Sequence, residues 1–181
     1  MIGARHVFTW CPHCRERLEA RPDGGAERPT CPSCGFVQYL NPAPGAGVVL
    51  LRGRDVCLVR RKFEPRAGFW SLPTGFMEWQ ESAPETAVRE AREETGLQVR
   101  LTGLYDVEAG ILPPDRPVLV VFYRAEETGG ALCAGDDADE VGFFPPDRPP
   151  GPVAFAAHRR ILARLAAELA AEPAADRKDP R

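Results

Sequence analysis

Short apolar runs bounded by turn residues fall at 47–51 and 56–60, on either side of Arg52-Gly53-Arg54-Asp55, and predict two strands. The pattern then breaks into glycine- and proline-punctuated sequence over 65–75. Residues 82–94 read as a helix: Ser82 is a suitable N-cap, Glu85 completes an S-x-x-E capping box, and Pro84 is tolerable in the first turn. Gly96 stands where a left-handed C-cap is wanted. Strands return over 99–104 and 105–109, then over the apolar run 118–124, with a short one at 141–144. Ile161, Leu162, Leu165 and Leu169 recur at helical spacing and predict a closing helix over 153–169.

Residues 1–40 stand apart, with paired cysteines and little apolar periodicity. A proline-rich joint follows, Asn41-Pro42-Ala43-Pro44-Gly45. The expected organisation is an accessory unit over 1–40, a linker over 41–46, a main domain of mixed α and β elements over 47–171, and a frayed polar tail over 172–181. A length of 181 residues permits one ordinary domain plus such a unit. With 44% hydrophobic and 27% charged residues, the composition fits a soluble globular chain. There is no apolar run of about 18 residues, so no membrane span is predicted. The N-terminal sequence lacks the apolar stretch of a signal peptide, and a cytoplasmic location is expected. The net charge of -3 argues against a non-specific nucleic-acid binder and fits a chain that gathers carboxylates around a cation.

Those carboxylates are concentrated in Arg89-Glu90-Ala91-Arg92-Glu93-Glu94-Thr95-Gly96-Leu97. At roughly 100° per residue, Glu90, Glu93 and Glu94 share one arc of the helix, while Val88 and Ala91 lie on another side suited to packing against a sheet. Charge runs on helices are usually solvated faces laced with ion pairs. Here, however, Glu90 and Glu94 repel as i,i+4 neighbours unless a cation intervenes. The upstream sequence decides between the readings. Gly75 is followed after five residues by Glu81, and after seven more by Arg89 and Glu90. Residues 75–97 thus match G-x5-E-x7-R-E-U-x-E-E-x-G-U, where U is apolar, and the segment resembles the box of the Nudix hydrolases. Ala91 is smaller than the aliphatic usual at its place. The approach Gly68-Phe69-Trp70-Ser71-Leu72-Pro73-Thr74-Gly75 is similar to the family's too, with Thr74 replacing a small residue.

The resemblance implies an α+β fold, an α/β/α sandwich around a mixed sheet, and hydrolysis of a diphosphate with Mg2+ or Mn2+. By position, Glu90, Glu93 and Glu94 would ligate the cation, with the Thr74 carbonyl as a further ligand. Arg89 and Glu81 would orient the cluster. The general base varies within the family. Glu90 is one candidate, and Glu140, in Asp139-Glu140-Val141-Gly142-Phe143-Phe144, is another.

Cys11-Pro12-His13-Cys14 and Cys31-Pro32-Ser33-Cys34 form two C-x-x-C knuckles separated by residues 15–30. That spacing is a strong signature of structural Zn2+ held by Cys11, Cys14, Cys31 and Cys34. A unit this small needs the metal to fold. Trp10, Phe36 and Tyr39 are expected to pack against the main domain. Ribbon, Asn-Pro joint and catalytic domain together resemble a Nudix subgroup acting on NADH, ADP-ribose or FAD. The S-Q-P-W-P-F-P-type motif of the NADH pyrophosphatases is missing between 97 and 121, which favours ADP-ribose or FAD, hydrolysed to AMP and the other phosphate half. Phe63, Arg66 and Phe76 are the substrate-contact candidates. A small nucleotide is the expected partner; RNA binding and a non-catalytic nucleotide sensor are the competing readings, and a homodimer is an expectation by analogy.

Overall fold

The structure is a computed structural model that describes residues 7–135 and 137–171; the expected tail lies outside them. Two extended segments, β3 (Ala43–Arg52) and β4 (Asp55–Arg61), pair as an antiparallel hairpin whose ends meet at Arg52 and Asp55. The strand β3 starts inside the expected joint, at Ala43, and its residues 43–50 run parallel to β8 (Arg116–Gly130). On the far side β8 pairs antiparallel with β7 (Leu97–Leu112). With β5 (Trp70–Ser71), the path of the sheet is β5-β4-β3-β8-β7. Two further strands attach off this path: β6 (Thr74–Phe76) on β3 and β9 (Ala138–Phe144) on β4. One parallel pairing among antiparallel ones makes the sheet mixed, as expected.

Strand alternation assigns the two faces. Ala46, Val48 and Leu50 of β3 turn toward helix α1 (Ala83–Thr95), joining Ala87, Ala91, Leu97 and Val99. Val49 turns the other way, with Leu58, Leu72, Val118, Val120 and Phe122, against Ile161, Leu162, Leu165 and Leu169 of α2 (Ala156–Ala171). One helix thus covers each face, giving the expected α/β/α sandwich. At the start of α1, the Glu85 carboxylate accepts the Ser82 N–H at 2.8 Å, and at its end Gly96 adopts φ 72° and donates its N–H to the Arg92 carbonyl at 2.9 Å.

Four details differ from the sequence reading. Ala87, not Val88, joins Ala91 against the sheet; Val88 remains exposed. The expected strands 99–104 and 105–109 are one strand, β7, interrupted by register shifts that let the apolar pattern slip between faces. Residues 1–40 contain a hairpin, β1 (Glu19–Asp23) with β2 (Ala26–Thr30), that no apolar alternation announced because its side chains bury little. Finally, Trp10 and Tyr39 do not pack away: they are 60% and 56% exposed.

Candidate active site and cysteine cluster

Arg89 organises the box. Its Nε donates to Glu81 Oε1 at 2.6 Å, Nη2 to Glu81 Oε2 at 2.9 Å and to the Phe76 carbonyl at 3.0 Å. The third nitrogen, Nη1, reaches Glu90 Oε1 at 2.7 Å and Glu93 Oε2 at 2.9 Å. One guanidinium therefore ties the loop before α1 to two of the helix carboxylates. Glu81 also accepts the Glu78 N–H and the Thr86 hydroxyl. Its hydrogen bonds to Arg89, the Glu78 amide and Thr86 hold its carboxyl down to about 2.

Glu94 differs from its neighbours: it is 6% exposed, and among the described residues its carboxylate accepts one hydrogen bond, from the Thr74 N–H to Oε2 at 2.9 Å. Burial pushes its carboxyl up to about 8, against the Thr74 amide, which lowers it, and with the nearby Glu90 adding to the rise. Glu90 is raised in the same direction, first by burial. Gly75 makes the approach possible: a Cβ there would collide with the Glu90 carboxylate. At Gly96 a Cβ would strike the Ala131 carbonyl, and its positive φ is the second reason for glycine.

Arg89, Glu90, Glu93, Glu94 and Asp137 line one cavity of about 430 Å³. Glu90, Glu94 and Asp137 also line an adjoining cleft of about 440 Å³ that continues past Thr74, Gly75 and Phe76 toward Arg61, Leu112, Val120, Phe155 and His158. Hard divalent cations take oxygen ligands, and the four carboxylates lining this cavity are donors of that chemistry, although among the described residues only the four cysteines are already gathered into a closed ligand cluster. Thr74 meets this cluster through its amide, which donates to Glu94 Oε2.

Of the expected site residues, Glu81, Arg89, Glu90, Glu93, Glu94 and Thr74 converge, and Phe76 lines the cleft beneath the stacked guanidinium of Arg116, 4.3 Å from its ring. Phe63 and Arg66 are exposed, with Lys62 over one ring and Arg66 itself over Phe69; their neighbours Glu64 and Pro65 line the cleft instead. Glu140 pairs with Arg60 at 3.1 Å across β4 and β9 and lines neither cavity. Asp137 reaches both. The acidic run before β9 was the available signal. Which acid faces the cleft is decided by the register shift between Arg60 and Arg61, which sequence alternation does not reveal.

The ribbon cysteines form a second cluster. The Sγ atoms of Cys11, Cys14, Cys31 and Cys34 all lie within 4.8 Å of one another, with contacts of 3.5 Å for Cys11 with Cys34 and 3.4 Å for Cys14 with Cys31. These are too long for disulfides and close to the edge of a tetrahedron with Zn–S bonds of about 2.3 Å. The two knuckles repeat one geometry: Cys11 N–H to the Glu16 carbonyl and Cys31 N–H to the Phe36 carbonyl, both 2.7 Å, with Arg15 and Gly35 at positive φ. The cluster is compatible with zinc.

Two buried groups with opposite shifts set the pH dependence of stability in a divalent-free solution. Glu94 is raised to about 8, so the folded state holds a proton that the unfolded chain has lost above about 4.5, and stability falls with pH across that window. His158 is lowered to about 3, first by burial and then by Arg61 and Arg159; here the unfolded chain binds the proton, and stability rises with pH up to about 6.5. The two oppose each other between about 4.5 and 6.5. Above that window the His158 contribution is complete, and the two raised carboxyls, Glu94 and Glu90, both lower stability as pH rises. The melting temperature in chelator is therefore expected to fall from pH 6.5 to 8, and millimolar Mg2+ to reverse the fall; a Tm that rises over that interval in chelator would refute the assignment of Glu94.

A family model described as the NUDIX domain matches residues 41–165. An ADP-ribose pyrophosphatase from Methanocaldococcus jannaschii is 36% identical over 116 residues, covering 62% of this chain and 67% of its own length. The NAD-capped RNA hydrolase NudC from Pseudomonas aeruginosa is 31% identical over 153 residues, 83% of this chain and 52% of that one. The chain thus spans about half the length of that NudC relative. A crystal structure of a NUDIX hydrolase from Nitrosomonas europaea superposes with a TM-score of 0.77 at 29% identity, over 92% of this chain and 96% of that one.

Proposed function

This chain belongs to the NUDIX family, and we propose that it hydrolyses the diphosphate of a nucleoside diphosphate derivative, ADP-ribose first and FAD second, using Mg2+ or Mn2+. The observation that carries this reading is the cavity formed by Glu90, Glu93, Glu94 and Asp137 where it opens into a cleft large enough for a nucleotide. The relative named as an ADP-ribose pyrophosphatase supports the choice of substrate. The NudC relative, which matches most of this chain, supports a second reading in which NADH or an NAD-capped RNA is cleaved.

A divalent cation bound by these carboxylates would screen the diphosphate and acidify a water. The chain's own groups do the rest. Arg89 keeps Glu90 and Glu93 aimed at the cavity, and Glu81 keeps Arg89 in place. Arg61, whose Nε is bound to the Pro65 carbonyl at 3.0 Å, brings positive charge to the cleft wall beside Glu94. Asp137, or Glu90, accepts the proton of the attacking water. In the ribbon, Cys11, Cys14, Cys31 and Cys34 would hold Zn2+ as a structural ion.

Asp137→Asn is expected to lower kcat by about 100-fold, the usual scale for losing a positioned proton acceptor, and Glu140→Gln by less than about threefold, since it breaks one exposed ion pair. The reverse order in steady-state kinetics would return the role to Glu140. A panel of ADP-ribose, FAD, NADH and NAD-capped RNA, ranked by kcat/KM, tests the substrate: ADP-ribose or FAD is expected first, and a lead for NADH or capped RNA would establish the second reading.

A further inference from the structure

His158 is a buried titratable group that the reaction above leaves idle. It sits in the first turn of α2, where 155–158 form one wall of the cleft, and it is 4% exposed. Its Nδ1 accepts the Leu72 N–H at 3.1 Å. A backbone amide can only donate, so Nδ1 carries the lone pair, and the proton of the neutral ring must be on Nε2. The rings of Phe122 and Phe155, each 5.4 Å away in edge-on contact, hold the imidazole plane. Burial, Arg61 and Arg159 keep the ring neutral, holding its pKa near 3. Among the described residues, the hydrogen bond that the His158 ring makes is the one from Leu72, and it occupies Nδ1. A locked donor facing a cleft is a group waiting for a ligand.

Its place relative to the carboxylates follows from the chain. Leu72 and Thr74 are two residues apart, so their amides lie at most about 7 Å from each other. The first holds His158 and the second holds Glu94. A diphosphate at the carboxylates would put the next group of the same molecule beside His158. Leu112, Val118, Val120 and Phe155 line the cleft with His158, the Arg61 guanidinium lies 5.1 Å from the Phe155 ring, and the neutral imidazole itself offers a hydrogen bond without a charge. We propose that Nε2–H of His158 donates a hydrogen bond to an uncharged acceptor (a sugar oxygen or the edge of a heterocycle) on the group joined to the diphosphate, which makes His158 a specificity-determining residue. The assignment rests on the hydrolase reading above. A substrate lacking that acceptor would leave the buried N–H unpaired and be discriminated against.

Asparagine and glutamine separate the ring's two roles. In His158→Asn, Oδ1 can still accept the Leu72 N–H, but nothing donates from the place of Nε2. His158→Gln returns a donor near that place. With ADP-ribose and FAD as probes, His158→Asn is expected to raise KM at least tenfold with kcat changed less than threefold and little change in melting temperature, and His158→Gln to recover part of the loss. An equal rise for both substrates places the acceptor on the AMP half they share; a rise confined to one places it on the other half. A second readout needs no turnover: in the full chain labelled with 15N-histidine, the Nε2–H resonance missing from His158→Asn is expected to shift when ADP-ribose is added in chelator. An unchanged KM for both substrates together with an unmoved resonance would overturn the proposal. A wild-type protein that cleaves neither substrate would instead overturn the hydrolase reading, and the titration would still decide for His158.

Discussion

Glu94→Gln is expected to lower kcat/KM by at least about 1,000-fold, several kcal/mol of lost transition-state stabilisation, while leaving the fold intact. Glutamine keeps an oxygen for the Thr74 N–H and nearly the same volume, so the 2.9 Å contact between the loop and α1 survives. What disappears is the charge. Glu94 is the box carboxylate whose ionisation burial opposes most strongly, so a cation that displaces its proton gains a ligand whose competing partner, among the described residues, is the Thr74 amide. In chelator the variant is expected to melt at or above the wild-type temperature at pH 8, because an uncompensated buried charge is gone. Mg2+ is then expected to stabilise the variant far less than the wild type. Full activity in Glu94→Gln would remove the carboxylate cluster as the metal site.

Removing zinc is expected to unfold the ribbon and spare the rest. Among the described residues of the ribbon, the buried side chains are Cys11, Cys31 and Gln38, which is no apolar core. A structural Zn2+ contributes about 10–16 kcal/mol of apparent binding energy in small units of this kind, more than a hairpin of exposed residues supplies. Cys31→Ser, or a strong chelator, should therefore abolish amide protection across Glu19–Asp23 and Ala26–Thr30 in hydrogen exchange. Protection in β3, β8 and both helices should persist, since those elements share their own two cores. One zinc per chain is expected in the native protein. A ribbon that stays protected without metal would show that the four thiols are merely close.

The sequence carried the site where chemistry and backbone geometry coincide. Ser82, Glu85 and Gly96 marked the ends of α1, and the spacing of Glu90, Glu93 and Glu94 fixed which face bears the acids, because helical phase is set by number alone. The cysteine knuckles were legible for the same reason: each is closed by local hydrogen bonds within six residues. Tertiary positions were not. Asp137 depends on a bulge in the pairing of β4 with β9, and His158 meets Leu72 across 86 residues of chain. Phe63 and Arg66 read as cleft residues because they precede the box, yet the loop turns at Arg66, with φ 70°, and presents Glu64 and Pro65 instead. The strand β7 reads as two because its register shifts interrupt the alternation that would have joined them.

The reaction itself is tested most directly by following phosphorus NMR signals of ADP-ribose and FAD with the zinc-loaded 181-residue chain, in Mg2+ and again without a divalent cation. The expected result is loss of the diphosphate resonances and growth of two monophosphate signals, one of them AMP, in Mg2+ alone. Persistence of both diphosphates in Mg2+ and in Mn2+, with a folded protein, would contradict it.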